Sequence, residues 1–135
     1  MTTPIPADLS YSADHEWVDR RLDAARVGIT AHAADALGDV VFVDLPSAGS
    51  AVVAGEPCGE IESTKSVSDI YAPLTGTVAS VNEAVEETPG LINSEPYGSG
   101  WLFEISVAAD AELLTPTQYA ELTGGFVVGS PGASA

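Results

Sequence analysis

Short apolar stretches alternate with turn-forming residues along the chain. Glycine, proline, asparagine, aspartate and serine recur at intervals of about eight to twelve residues, the spacing typical of a β-sandwich or flattened barrel. Segments 17–22 and 25–29 predict an opening hairpin, and the β-branched and aromatic residues of 40–45 predict a buried strand that ends at Pro46. In 101–107 every second residue is apolar, as in a strand with one buried face. The pattern therefore predicts a mostly β fold.

Two short helices interrupt the predicted strands. Thr30 can cap the N-terminus of an alanine-rich helix over 31–37, and Gly38 is placed to end it. Near the C-terminus, the Thr-Pro pair at 115–116 predicts the start of a second helix, which Gly124 stops. The expected fold is therefore a flattened β-barrel or sandwich with short helices, including one at the C-terminus.

The chain has the length of one ordinary domain. Of its 135 residues, 45% are hydrophobic, enough for a core without disulfides or metal. We expect 1–124 to form the domain and the Gly/Ser/Ala/Pro-rich segment 125–135 to be a flexible tail. No apolar run approaches the roughly 20 residues needed to cross a bilayer, and residues 1–14 lack the pattern of a signal peptide. With Cys58 as the single cysteine, which fits a reducing compartment, these features predict a cytoplasmic protein.

Charge is the most unusual bulk property. Twenty acidic residues against four basic ones give a formal net charge of −16. A chain with that charge repels nucleic-acid phosphates and anionic lipid, so neither nucleic acid nor membrane is an expected partner. It is steered instead toward proteins with basic surfaces, although solubility or a salt-rich habitat explains the charge equally well.

Lys65 is the only lysine in the chain. Residues 58–62 alternate as a strand, the small polar run Ser-Thr-Lys-Ser follows, and the apolar pattern resumes at Val67. Two strands joined at this run place Lys65 at an exposed hairpin tip. Because a solvated ammonium is a poor nucleophile at neutral pH, the position suits a modifying enzyme that needs an accessible amine.

The run ESTKSVSDIYAPLTG around Lys65 resembles the lipoylation segment of glycine cleavage H proteins, and four further stretches match that family in the same order. They are HEWV at 15–18, VGIT at 27–30, ALGDVVFVDLP at 36–46 and NSEPYGSGW at 93–101. The likeness extends from about residue 11 to residue 122. It implies a lipoyl-carrier-like fold, a barrel-sandwich hybrid with Lys65 on the hairpin tip.

The resemblance implies a non-catalytic carrier with lipoate covalently bound to Lys65. Such a carrier is loaded by a lipoate-attaching enzyme. It then shuttles the aminomethyl group of glycine from glycine decarboxylase to an aminomethyltransferase, and electrons to dihydrolipoamide dehydrogenase. A carrier that dissociates between visits is expected to be a monomer with small, weak, polar interfaces.

The resemblance also implies that Glu16 and Asp69 dock the loaded arm. A carboxylate binds an ammonium well where water is excluded, and a solvated surface acid is the other interpretation of both residues. Ala36 departs from the pattern of some relatives, which carry a histidine at this point of the short helix.

Other swinging-arm carriers stay open as alternatives. Biotin carriers typically have methionines beside the lysine, where this chain has Thr64 and Ser66. Lipoyl domains of 2-oxo acid dehydrogenases usually show Asp-Lys-Ala and run shorter. A lipoyl relay, which donates lipoate to other carriers, fits the sequence as well.

Two further classes of protein fit the sequence less well. An enzyme that uses Lys65 as base to a serine lacks the Ser-x-x-Lys spacing, because Glu62 stands three residues before the lysine. No metal site is predicted, because His15 lacks the second histidine of a helical zinc motif and His32 is isolated. A structural acidic adaptor would explain the charge but not the five ordered motif matches. Modification of Lys65 distinguishes the two classes, because an adaptor is expected to be unmodified.

Overall fold

The computed structural model describes residues 4–21, 24–109 and 111–128. Within these ranges strands predominate over helices. The strands are β1 Pro4–Pro6, β2 Ser10–Tyr11, β3 Glu16–Arg20, β4 Ala24–Ile29, β5 Val40–Asp44, β6 Ala51–Val52, β7 Pro57–Ser63, β8 Val67–Tyr71, β9 Thr75–Val81, β10 Phe103–Ala109 and β11 Phe126–Val128. The helices are α1 Ala31–Leu37, α2 Glu83–Glu87, α3 Leu91–Ser94 and α4 Pro116–Thr123.

The larger hydrophobic core joins the six-stranded and the three-stranded sheet. Six strands pair in the order β2-β3-β4-β10-β9-β6 and three in the order β5-β7-β8. Buried side chains from both sheets meet in this core, including Val27 and Ile105 from the larger sheet and Val43 and Ile61 from the smaller. In the described residues neither sheet closes on itself, so the prediction of a flattened, mostly β barrel-sandwich with short helices is confirmed.

The hairpin predicted at 17–22 and 25–29 is present as β3 and β4, and residue 22 lies outside the described residues. Trp17 lies opposite Gly28 in the register of this pair. A Cβ atom added to Gly28 would come within 2.6 Å of the Trp17 indole, so only glycine leaves room for the ring at this crossing.

Both predicted helices begin and end at the expected residues. The Thr30 side chain accepts a hydrogen bond from the amide of Ala33 and so caps α1. Helix α4 opens with a reciprocal capping box between Thr115 and Gln118, and Gly124 ends it in the left-handed conformation. Local residue chemistry therefore determines these helix ends.

A second, smaller core attaches α4 to the start of the larger sheet. Its buried members are Ile5, Tyr11, Trp17 and Tyr119. The rings of Tyr11 and Tyr119 stack with centroids 4.7 Å apart, and the Tyr119 side chain is fully buried. The C-terminal helix is thereby held close to the segment that contains Glu16.

The prediction that 40–45 is a buried strand is wrong for part of its length. The segment forms β5, but β5 is an edge strand of the three-stranded sheet. Val40 and Val43 enter the core, whereas the side chains of Val41 and Phe42 are 51% and 55% exposed. The apolar sequence therefore predicted the strand correctly but not which of its residues meet solvent.

The predicted tail 125–135 needs a partial correction. Phe126–Val128 forms β11, which pairs in parallel with Pro4–Pro6 and brings the two ends of the described chain together. Residues 129–135 lie outside the described residues, so flexibility there stays a prediction.

Two helical segments lie between β9 and β10. Helix α3 is a single helical turn over Leu91–Ser94. Helix α2 was not predicted; the Asn82 side chain caps it by accepting a hydrogen bond from the amide of Ala84.

No helix in the described part of the chain has the length and apolar character that a membrane span requires.

Candidate functional site

Lys65 lies at the exposed tip of the hairpin formed by β7 and β8, as the sequence predicts. Ser63 closes the turn, since its buried hydroxyl oxygen accepts hydrogen bonds from the amides of Lys65 at 3.2 Å and Ser66 at 3.1 Å. The amide of Ser63 also donates to the Ser66 carbonyl at 2.8 Å. The serines of the Ser-Thr-Lys-Ser run therefore fix the turn and leave the lysine side chain projecting from it.

The end of helix α1 supports this hairpin from below. The amide of Thr64 donates to the carbonyl of Asp39 at 3.0 Å. The aliphatic stem of Lys65 passes over Gly38, where an added Cβ would lie 3.0 Å from the lysine Cε. Gly38 also has a φ of +81°, a backbone conformation that favours glycine. Glycine is therefore favoured here for two reasons: its backbone conformation and the space that the Lys65 stem occupies.

A cleft of about 280 Å³ opens beside the hairpin, between α1, the 12–16 turn and β8. Its polar lining includes the side chains of Glu16 and Asp69, so the structure brings both predicted docking residues to one cleft. The apolar lining comes from Ile29, Ala33, Leu37 and Ile61. Since Ser66 and Val67 also line the cleft, it begins within two residues of Lys65.

Glu16 is buried at the base of this cleft, with 2% of its surface exposed. The Ser12 hydroxyl donates to Oε1 at 2.6 Å, and the amide of Tyr71 donates to Oε2 at 3.2 Å. Burial raises the pKa of Glu16 to about 8, although both hydrogen bonds act in the opposite direction. The interpretation of Glu16 as a solvated surface acid is therefore wrong.

A strained turn aims Glu16 inward. His15 adopts a φ of 71°, which is uncommon outside glycine, and the amide of Glu16 donates to the Ser12 hydroxyl oxygen at 3.1 Å. The His15 ring is held by the Tyr119 hydroxyl, 2.7 Å from Nδ1, and that hydroxyl also bonds Thr30 at 2.7 Å. Tyr119 is a contributor that sequence reasoning missed, because 104 residues separate it from His15.

Asp69 and Ala36 lie at the more open part of the cleft. Asp69 is an exposed residue of β8, opposite Glu60 in the register of the hairpin. Ala36 lines the cleft from α1, so the position where some relatives carry a histidine here offers only a methyl group. Asp14 also lines the cleft and was not predicted; its proximity to Glu16 in the HEWV region was the available signal.

The cleft has the chemistry of a binding site for an aliphatic chain that ends in a cation. It combines apolar walls with the carboxyl groups of Asp14, Glu16 and Asp69. Two ion pairs, of Arg21 with Asp19 and of Arg26 with Glu104, include no residue of the cleft.

Known proteins resemble this chain over most of its length. The family described as glycine cleavage H-protein matches residues 9–125. The glycine cleavage system H protein of Beutenbergia cavernae is 57% identical over 121 residues, covering 90% of this chain and 98% of the relative. That of Thermobifida fusca is 56% identical over 122 residues, covering 90% and 97%. The crystal structure of a glycine cleavage system H protein from Mycobacterium marinum matches with a TM-score of 0.86 and 51% identity, covering 89% of this chain and 99% of that one.

Proposed function

The chain belongs to the glycine cleavage H-protein family, and from this premise we propose that lipoate is attached to Lys65. Members of this family are lipoyl carriers of the glycine cleavage system. The observation that carries the proposal is the position of the only lysine, exposed on a rigid hairpin tip beside a cleft with a buried carboxyl. The chain acts as a carrier component, and the chemistry at glycine belongs to its partner enzymes.

The residues that line the cleft suit the attached group chemically. When bound, lipoate supplies a disulfide that accepts the aminomethyl group and is reduced. Ile29, Leu37 and Ile61 provide an apolar wall for the aliphatic part of such an arm, and the wall excludes water from the carboxyl group at its base. Ser66 and Val67, next to the lysine in the hairpin, also line the cleft. An arm attached to Lys65 therefore begins at the edge of the cleft.

We assign Glu16 and Asp69 to the amine at the end of the loaded arm. A cation in the cleft favours the ionised form of Glu16, whose pKa burial otherwise raises to about 8. Binding of the ammonium is therefore coupled to release of the Glu16 proton near neutral pH. Asp69 adds a second carboxylate at the exposed rim, where the arm enters and leaves.

Methyl-group NMR tests this assignment. We expect the methyl resonances of Ile29 and Ile61 to shift when the arm is loaded, and to return toward their unloaded positions in Glu16→Gln and Asp69→Asn. Glu60→Gln is the matched control for Asp69→Asn, because Glu60 is also exposed and lies opposite Asp69 in the sheet without lining the cleft. Shifts of equal size in all three variants would exclude both carboxylates from docking.

The partners we propose are glycine decarboxylase, the aminomethyltransferase, dihydrolipoamide dehydrogenase and the lipoate-attaching enzyme. Each must contact the surface around Lys65. On the three-stranded sheet, Phe42, Glu62 and Val67 lie opposite one another and are exposed, and the next row contains Asp44 and Glu60. This surface suits basic partners, so raising NaCl from about 50 to 500 mM is expected to raise the KM of each enzyme for the carrier. A KM independent of salt would argue against charge steering.

The attachment site is tested by intact mass after incubation with a lipoate ligase, ATP and lipoate, followed by peptide mapping. One lipoyl group in amide linkage on the Lys65 peptide is expected, and none on Lys65→Arg. Acceptance of biotin instead would place the chain among biotin carriers, and no modification of the folded protein would refute the proposal. Glycine decarboxylase then separates a glycine cleavage carrier from a lipoyl relay, because only the first is its substrate.

A further inference from the structure

Asn93 of α3 joins two parts of the chain that lie beneath the Lys65 hairpin. Its side-chain Nδ2 donates to the carbonyl of Gly38 at 2.8 Å, and its Oδ1 accepts from the amide of Val40 at 2.9 Å. Both ends of one amide group are thus used across the turn between α1 and β5. An ionised carboxylate has no donor and a hydroxyl has a single oxygen, so neither reproduces this pair of contacts.

Asp39, which lies between Gly38 and Val40, is hydrogen-bonded to the hairpin. The carbonyl of Asp39 accepts the amide of Thr64 at 3.0 Å, and Gly38 lies under the stem of Lys65. A displacement of residues 38–40 therefore moves both the anchor of the turn and the surface on which the lysine rests. Asn93 does not line the cleft, and its side-chain hydrogen bonds go to Gly38 and Val40, so we expect any effect on the lysine to pass through this segment.

The loop that follows Asn93 is itself fixed at several points. The Trp17 indole donates to the carbonyl of Pro96 at 2.8 Å, and the Tyr97 hydroxyl oxygen accepts from the amide of Ala31 at 3.1 Å. Gly100 packs so closely on α3 that a Cβ there would lie 2.5 Å from the Leu91 carbonyl. These contacts hold the segment that contains Asn93 in place. We call the pair of hydrogen bonds from Asn93 to Gly38 and Val40 the clamp.

We propose that Asn93 is a positioning residue for lipoylation: it holds residues 38–40 so that the Lys65 hairpin keeps the orientation a lipoate-attaching enzyme recognises. The inference rests on the proposed attachment of lipoate to Lys65. It assigns a task to the NSEPYGSGW stretch, which takes no part in the cleft.

The direct test is amide hydrogen exchange on the unmodified full chain. Asn93→Asp keeps the size of the side chain but places a carboxylate oxygen against the Gly38 carbonyl, so the clamp opens. We expect exchange of the Thr64 amide to accelerate by about tenfold, since local opening then precedes global unfolding. The matched control is Asn82→Asp, because the Asn82 amide also donates to carbonyls, those of Ser99 and Trp101, and accepts from a backbone amide, that of Ala84, away from the hairpin.

The second test separates positioning from general stability. With lipoate ligase, the KM for unmodified Asn93→Asp is expected to rise about tenfold while kcat stays within about twofold, because fewer molecules hold the recognised orientation. Asn82→Asp is expected to leave the KM unchanged at the same temperature. Asn93→Ser, which loses the donor and the acceptor geometry without adding charge, is measured alongside in case the aspartate variant does not fold.

The outcomes are distinguishable. Failure of the wild-type chain to accept lipoate refutes the proposed function, whereas the exchange of Thr64 is measured without any modification. Wild-type lipoylation together with equal Thr64 exchange in the Asn93 and Asn82 variants overturns the inference. Equal KM values for the two variants, with the Asn93 variant folded, overturn it as well.

Discussion

Replacing Glu16 by glutamine tests how the cleft treats charge. The Glu16 carboxyl is almost fully buried and accepts hydrogen bonds from Ser12 and Tyr71. Burial raises its pKa from 4.5 to about 8. Glutamine has the same shape and resembles the protonated acid, but it cannot ionise. The substitution therefore removes the titration while keeping the packing.

The sign follows from proton linkage. Because the pKa of Glu16 is higher in the folded state, folding favours the protonated form, and this contribution is fully present below about pH 4.5. It is lost as the pH rises to about 8, and the full difference corresponds to roughly 5 kcal/mol in the free energy of unfolding. This is opposite to the usual behaviour of a carboxylate that is paired in the folded state.

Urea unfolding of both proteins between about pH 5 and 9 measures this difference. We expect the free energies of unfolding to agree within about 1 kcal/mol at pH 5, and the Glu16→Gln variant to be more stable by several kcal/mol at pH 9. The many other acidic residues are common to both proteins and cancel in the comparison. A difference that does not change with pH, or a wild type that gains on the variant as the pH rises, would refute the assignment of a raised pKa to this carboxyl.

Four further predictions concern the lysine, its support and the state of the chain. Lys65→Arg should abolish lipoylation by intact mass and change the free energy of unfolding by less than about 0.5 kcal/mol, because the residue is exposed. Gly38→Ala should destabilise the fold by about 1–2 kcal/mol in urea unfolding, since its φ is positive and its Cβ meets the lysine stem. Tyr119→Phe should cost about 1–3 kcal/mol in the same assay, because His15 and Thr30 lose a shared partner; no change would show that water replaces the hydroxyl. Size-exclusion chromatography with light scattering should give a monomer, and a stable dimer would contradict the weak interfaces expected of a carrier.

The elements that the sequence predicted correctly are those set by nearby residues. Thr30 and Gly38 define α1 because a cap bonds an amide three residues away and a glycine tolerates a positive φ. The tip at Lys65 follows in the same way, since Ser63 bonds the amides two and three residues further on. Such features can be predicted from the sequence because the side chain and the amide that it bonds are only two or three residues apart.

The environment of Glu16 could not be read in that way. Its residue type and motif pointed to the site, but whether it was solvated or buried depends on packing between segments distant in sequence. Tyr71, which donates to its carboxyl, is 55 residues away, and the cleft is lined by residues of β4, α1, β7 and β8. The parallel pairing of Pro4–Pro6 with Phe126–Val128 is a further long-range contact without a local signal. Three residues are too few to show an alternating hydrophobic pattern, and proline lacks the backbone N–H that a strand donates.

The ordered motifs gain their meaning from contacts with one another. Trp17 of the HEWV stretch donates to the backbone of the NSEPYGSGW stretch, and Asn93 of that stretch holds the backbone at 38–40. The carbonyl of Asp39 in turn accepts the amide beside Lys65. Each link joins a residue of one motif to the main chain of another or of the turn it supports, so the stretches constrain each other although long segments separate them. A carrier that shared only the lysine hairpin would keep the attachment point and lose the contacts that orient it, which is why the agreement of several ordered stretches identified the family more securely than the lysine segment alone.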